Sequence, residues 1–277
     1  MKKKDLLAFI VILFILSACG SPATPSREPT KTMPPTPTNI PLSTATLLPS
    51  ETPQSISPYG ITNNLDKFLA IPNGYILYGN ISWTDSLVIP YGTIATLASI
   101  KDANGKEIPF EYADAEVYPT QDEFRQYWAY KINETSFAAP LSLSFVVVTN
   151  LKVDGGTFTF DPGPNPQLRQ KWDINQNVTV HNEIIHVLFA KQGGSDSIGA
   201  FNFTMRSSDP NIIGATITDF SHPPVGFGGG GGGIPQADVE FGAPYQYQEP
   251  LPQGPYTLTF TTVAILVSGD WNLTWSP

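Results

Sequence analysis

Large apolar residues recur at every second position in segment after segment of this chain, and a period of two is the signature of strands with one buried face. Leu141, Leu143, Phe145 and Val147 alternate with Ser142, Ser144 and Val146. Phe201, Phe203 and Met205 alternate with Asn202, Thr204 and Arg206, and Tyr256, Leu258 and Phe260 with Thr257, Thr259 and Thr261. Trp271, Leu273 and Trp275 share one face of a closing run. Helical period is nearly absent. Residues 121–128 are the one helical candidate, where Thr120 and Glu123 stand at capping-box spacing.

Turn chemistry separates the runs. Asn104-Gly105 supplies the positive φ of a tight hairpin between residues 94–100 and 107–112. Asp154-Gly155-Gly156 predicts a second hairpin between 145–153 and 157–160, and His181-Asn182-Glu183 a third. Residues 161–166, Asp-Pro-Gly-Pro-Asn-Pro, form the densest breaker cluster and mark an expected domain boundary. About six or seven short strands on either side predict an all-β fold of two antiparallel β-sandwich domains, immunoglobulin-like in kind, over residues 58–161 and 162–277.

The chain opens differently. Lys2, Lys3 and Lys4 precede a run from Leu6 to Leu16 without charge or proline. That run is too short to span a hydrocarbon core of ~30 Å, which takes ~20 residues, and has the form of an export signal. Leu16-Ser17-Ala18-Cys19 follows, and this stretch resembles the lipobox of bacterial lipoproteins at all four positions. The resemblance implies cleavage between Ala18 and Cys19, a diacylglyceryl group on the Cys19 sulfur, and residues 1–18 removed as signal peptide. Each buried CH₂ contributes ~0.8 kcal/mol, so two acyl chains hold stably where one holds marginally. The expected location is the cell membrane, with the folded part extracytoplasmic.

Cys19 is the only cysteine. Once lipidated it leaves a chain without disulfides, thiol nucleophiles or thiolate metal ligands. Residues 19–57 read as the lipidated cysteine and a disordered spacer: residues 20–57 hold no aromatic and are dominated by proline, serine and threonine. At ~3.1 Å per residue the spacer reaches on the order of 100 Å if stiff. The formal net charge is −9. Residues 1–18 carry three lysines and one aspartate, so their removal leaves −11. An acidic chain without a basic cluster is a poor partner for nucleic acid, whose binding rests on phosphate neutralisation.

A second resemblance lies in residues 160–167, Trp172 and the closing Gly269-Asp270-Trp271-Asn272-Leu273-Thr274-Trp275. Here the second half resembles the carboxy-terminal sandwich of uncharacterised extracytoplasmic bacterial proteins, some attached to anti-sigma-factor-type membrane proteins. No activity is established for that family, so no functional residue carries over.

Residues able to do chemistry are few. His181 and His186 flank Glu183, but five-residue spacing on a strand puts side chains on opposite faces, and a turn histidine plus a sheet histidine is the plainer reading. His222 beside Pro223-Pro224 reads as a solvated loop residue. Ser197 has Gly199 two positions on, but Ser195 stands where a nucleophile elbow needs its first glycine, and no helix pattern follows. The six glycines at 228–233 lack the lysine and the helix of a phosphate loop. Asp114 with Glu116, and Asp122 with Glu123, are paired carboxylates on paper, and Asp161 with Asn165 offers two oxygens where calcium takes ~6–8. No cofactor is expected. Trp83, Trp128 and Trp172 are the candidate ligand-binding residues, since an exposed pair would make a sugar platform. The leading expectation is a non-catalytic lipoprotein presenting sandwich modules to another protein or to the cell wall. Carbohydrate recognition and a carboxylate hydrolase are the alternatives.

Overall fold

The computed structural model describes residues 59–113, 122–192, 199–225 and 240–277, with the backbone of residues 46–47. Every regular element among them is a strand. In chain order these are β1 (Thr46–Leu47), β2 (Thr62–Ile71), β3 (Gly74–Ser82), β4 (Val88–Lys101), β5 (Phe110–Tyr112), β6 (Arg125–Ile132), β7 (Leu141–Lys152) and β8 (Thr157–Phe160). Then follow β9 (Lys171–Val180), β10 (Glu183–Gln192), β11 (Ala200–Ser207), β12 (Ile212–Thr218), β13 (Phe241–Gln246), β14 (Tyr256–Leu266) and β15 (Asn272–Trp275). They form three antiparallel sheets: a first sheet β1-β2-β3-β6-β5, a third sheet β13-β11-β10-β9, and between them in function a six-stranded central sheet of β4, β7, β8, β12, β14 and β15. The all-β, sandwich-like expectation holds, and residues Ser43–Pro277 fall in one compact unit.

The central sheet is organised on one long ribbon. β14 pairs with β7 through Thr262↔Lys152 to Leu266↔Val148, and with β8 through Tyr256↔Phe160 to Thr259↔Thr157. β15 continues on the same edge of β7, from Asn272↔Ser144 to Trp275↔Leu141. Residues 141–160 therefore run antiparallel to 256–275 over a length on the order of 60 Å. Two irregularities interrupt the ribbon. Four residues, 153–156, stand opposite Phe260 and Thr261, with Gly155 and Gly156 at φ 79° and 99°. Residues 267–271 stand opposite 145–147, and the Trp271 indole N–H closes that loop on the Val267 carbonyl at 2.8 Å.

One face of this sheet is buried from end to end. Ala215 and Ile217, two apart on β12, face the same side. Their partners on β14 are Val263 and Phe260, and a bulge at Thr261 and Thr262 reconciles that spacing. The first sheet covers one half of the buried face. Trp128 and Tyr130 of β6 meet Phe145 of β7 at 4.9 and 6.3 Å, and Trp275 of β15 packs on Phe68 and Tyr75 at 5.2 and 5.1 Å. The third sheet covers the other half, where Phe158 and Phe160 of β8 meet Phe203 at 5.4 and 5.2 Å. The result is two sandwich lobes that share a sheet.

The sequence boundary at 161/162 does not separate these lobes. The final strand β15 packs into the first lobe, while β8, before the boundary, lines the second. Residues 161–166 instead carry the chain from the central sheet to β9 of the third, through a turn in which Asp161 Oδ1 accepts the Gly163 N–H at 2.8 Å. The expected hairpin at 154–156 is a bulge, because both flanking strands find the same partner in β14. The Asn104-Gly105 turn forms, with the Gly105 N–H on the Asp102 carbonyl at 2.9 Å, but β5 then crosses to pair with β6. The third hairpin is as expected: His181 and Asn182 both take positive φ, 52° and 65°, as a two-residue primed turn requires. The helix expected over 121–128 is not formed by its described part. Phe124 leads directly into β6, where Trp128, Tyr130 and Ile132 turn inward at every second position. Within the spacer read as disordered, Thr46–Leu47 pairs with Phe68 and Lys67 on the open edge of β2.

Candidate functional site

Two matching turns and a bulge raise three apolar side chains at one end of the first lobe. Asp85 and Asp122 each accept, through Oδ1, the N–H two residues on, from Leu87 at 2.8 Å and Phe124 at 3.0 Å. Their main-chain carbonyls accept the N–H three residues on, from Val88 at 3.1 Å and Arg125 at 3.2 Å. An Asx turn nested in a β-turn fixes the third residue outward. Leu87 is 42% exposed and Phe124 46%.

Between them β4 bulges. Val88 pairs with Leu151 and Thr93 with Thr149, so residues 89–92 stand opposite Asn150 alone. Tyr91 lies in that bulge at φ 56° with 47% of its surface exposed. Left-handed backbone costs a residue with a β-carbon ~1–3 kcal/mol and persists only where its surroundings enforce it. Here they do: the Tyr91 N–H donates to the Glu123 carbonyl at 2.9 Å, and its carbonyl accepts from Gln126 Nε2 at 2.8 Å. The Trp83 N–H donates to the Phe124 carbonyl at 3.1 Å, and the Trp83 ring meets the Phe124 ring edge-on at 6.5 Å. The Lys152 N–H donates to the Leu87 carbonyl at 2.7 Å. Tyr91 is thus tied backbone to backbone to the residue before Phe124, and Leu87 is held on β7 through Lys152.

Carboxylates border it. Asp85, Asp122 and Glu123 belong to its own turns. Burial first, and then the negative charges of Asp209 and Asp85, push the Tyr59 hydroxyl above the ordinary phenol range. None of these four carboxylates takes part in a salt bridge among the described residues. Arg125 and Lys152 are the cations of the same turns and strand ends.

The expected tryptophan platform is not there. Trp83 and Trp128 are 2% and 6% exposed, and Trp128 gives its indole N–H to Asn63 Oδ1 at 2.9 Å. Trp172 is half-buried, edge-on to Phe160 and Phe201 at 5.5 and 5.7 Å. Their apolar area goes into the two cores, which have no disulfide to lean on. The exposed rings among the described residues are Tyr91, Tyr112, Phe124 and Phe220, and of these Tyr91 and Phe124 belong to the ridge. Sequence reasoning passed over both, although two signals pointed there: the repeated Asp-x-apolar step at Asp85 and Asp122, and Pro90-Tyr91-Gly92 breaking a strand pattern. Cys19, Ala18, Asp114, Glu116, Ser195, Ser197 and the glycines 228–233 lie outside the described residues.

The histidines divide as follows. His181 sits in the β9–β10 turn, and His186 Nδ1 meets Asn177 Oδ1 at 2.6 Å on β10. His222 is not merely a solvated loop residue. Its Nδ1 meets the buried Asp219 Oδ2 at 3.1 Å, while Oδ1 takes the Ser221 and His222 N–H groups at 2.9 and 3.2 Å. The Tyr247 hydroxyl donates to Asp219 Oδ2 at 3.1 Å, and the Tyr245 hydroxyl donates to the His222 carbonyl at 2.6 Å. Burial, then the Asp219 charge, pushes the Tyr247 phenol far up. The network's partners serve to pin the 219–222 turn to β13 and the residue after it. Among the described residues, no three histidine, cysteine or acidic side chains group closely enough to hold a metal ion.

Compared with known proteins, the chain matches no family model, no curated protein and no solved structure.

Proposed function

We propose that this protein is a non-catalytic lipoprotein, anchored through Cys19 after cleavage at Ala18, that presents a rigid two-lobed scaffold outside the cytoplasm for contact with another protein or the cell wall. Each lobe serves as an immunoglobulin-like sandwich module in this reading. The observation that carries it is the ridge: three apolar side chains held in solvent by turns and by a strained bulge, where unconstrained loops would place polar residues. Buried aromatic and apolar anchors with a charged rim are what protein interfaces use. The anchor itself is supported by the lipobox resemblance and by the apolar run before it.

Two measurements test this. Labelled fatty acid should enter the wild-type chain and not Cys19→Ser, which should also leave the membrane fraction; membrane retention of the unlabelled variant would sink the anchor. A photo-crosslinking amino acid at position 91 in the anchored protein should capture a partner in intact cells that the same probe at Thr274, on the outer face of β15, does not capture. No adduct specific to position 91 would count against contact through the ridge. Recognition of a neutral wall glycan is the second reading, favoured by two exposed rings, Tyr91 and Phe124, on segments joined by the Tyr91–Glu123 backbone hydrogen bond.

A further inference from the structure

We propose that the ridge of Leu87, Tyr91 and Phe124 docks a cationic protein segment, one that places lysine or arginine side chains beside apolar anchors. This rests on the protein-contact reading above and names the class of partner. The argument is charge complementarity around a preformed apolar centre. Asp85 and Asp122 each spend Oδ1 on their own turn and leave Oδ2 for an incoming donor. Glu123 is exposed, its main-chain carbonyl engaged by Tyr91 and its carboxylate in no described salt bridge. Gln126 donates one amide hydrogen to Tyr91 and keeps Oε1 as an acceptor. The rim thus offers acceptors to a partner rich in donors. The three turn carboxylates Asp85, Asp122 and Glu123 stand against Arg125 and Lys152. The net charge of −9 adds a field that draws cations and repels anionic polymers. Elsewhere on the surface Lys106, Lys131 and Arg206 are each paired with an acid, and Asp85, Asp122 and Glu123 are not drawn into any such pair among the described residues.

The ridge is also preorganised. The positive φ of Tyr91 stores strain that binding does not have to generate, and the ties to Glu123, Gln126, Trp83 and Lys152 leave little ordering to be lost on contact. A ring kept at a strained, exposed position stabilises nothing in the core.

The test uses the full chain and a short labelled peptide alternating lysine with phenylalanine, followed by fluorescence anisotropy. Wild type should bind it, and affinity should fall at least severalfold between about 20 and about 300 mM salt. Tyr91→Gly should weaken binding by about tenfold or more while leaving the thermal midpoint unchanged or higher, because glycine takes positive φ freely. Glu123→Lys should weaken binding severalfold with no change in midpoint. Equal binding by wild type, Tyr91→Gly and Glu123→Lys would overturn the proposal. So would wall-derived neutral oligosaccharides binding in a salt-independent, Tyr91-dependent way. If position 91 crosslinks a protein in cells but the lysine peptide does not compete, the cationic class falls while protein contact stands. If neither occurs, both fall.

Discussion

The side-chain amide of Gln176 pairs with both backbone groups of Thr159: the Thr159 N–H donates to Gln176 Oε1 at 3.1 Å, and Gln176 Nε2 donates to the Thr159 carbonyl at 2.8 Å. Thr159 belongs to β8, whose other edge is taken by β14, and Gln176 to β9 of the third sheet. One side chain thus stands in for a missing strand and closes the seam between the sheets of the second lobe. An edge left open is a template for pairing with another chain. Gln176→Ala should lower stability by ~0.5–1.5 kcal/mol, the net worth of solvent-accessible hydrogen bonds, and raise the rate of aggregation. Urea denaturation with light scattering reads both. An unchanged midpoint and unchanged scattering would mean water replaces the amide without loss.

Trp83 and Trp128, both interior to the first lobe, make a matched pair. Trp128 donates its indole N–H to Asn63 at 2.9 Å, whereas the buried N–H of Trp83 has no partner. Replacing either with phenylalanine removes similar volume. Trp128→Phe also strands the Asn63 oxygen, so it should cost ~1–3 kcal/mol more than Trp83→Phe. Chemical denaturation of both variants checks the ordering, and equal losses would show that packing alone sets the cost.

Gly79 of β3 lies beneath the Trp128 ring. A β-carbon there would come within 2.1 Å of the ring and 2.2 Å of the Asn64 carbonyl. Gly79→Ala should therefore cost ~1–3 kcal/mol or more through displaced packing, with a change in tryptophan fluorescence. Gly105→Ala, where the β-carbon meets nothing within 4 Å but φ is 80°, should cost only ~1 kcal/mol and leave the fluorescence alone.

Alkali should unfold the protein in a defined window. Burial pushes the Tyr130 phenol up to about 12, and its hydroxyl oxygen accepts the Leu97 N–H at 2.9 Å, where β4 bulges against β7. Tyr245, Tyr247 and Tyr256 are raised too, each chiefly by burial. An unfolded tyrosine titrates near ~10. Above that value the unfolded chain releases protons that the folded one retains, so stability is full below pH ~10 and falls as the pH rises towards 12. Circular dichroism followed with tyrosinate absorbance should show ionisation of these residues coinciding with loss of structure. Free ionisation in a folded chain would contradict the burial.

Strand identity was legible where the alternation was clean: Leu141 to Val147, Phe201 to Met205 and Trp271 to Trp275 all bury the face their pattern marks. Partnership was not legible, because β14 finds both β7 and β8 about 100 residues away and no local signal records such a choice. Glycines and aspartates mark an interruption without saying what kind: Gly155-Gly156 makes a bulge and His181-Asn182 a hairpin. At the candidate site the sequence drew the eye to tryptophan, yet large rings in a disulfide-free core are needed inside. Tyr91 and Phe124 stayed outside because turn hydrogen bonds, rather than hydrophobicity, set their direction.

The ribbon also sets a timetable. Trp275, which fills the space between Phe68 and Tyr75, follows them by some two hundred positions. Chain synthesis runs N-terminus first at ~5–20 residues per second. The early strands must therefore wait on the order of ten seconds or more, half-built and sticky, for the piece that seals them. Neither lobe can finish alone, so a fragment cut at residue 161 should be an aggregating intermediate rather than a domain.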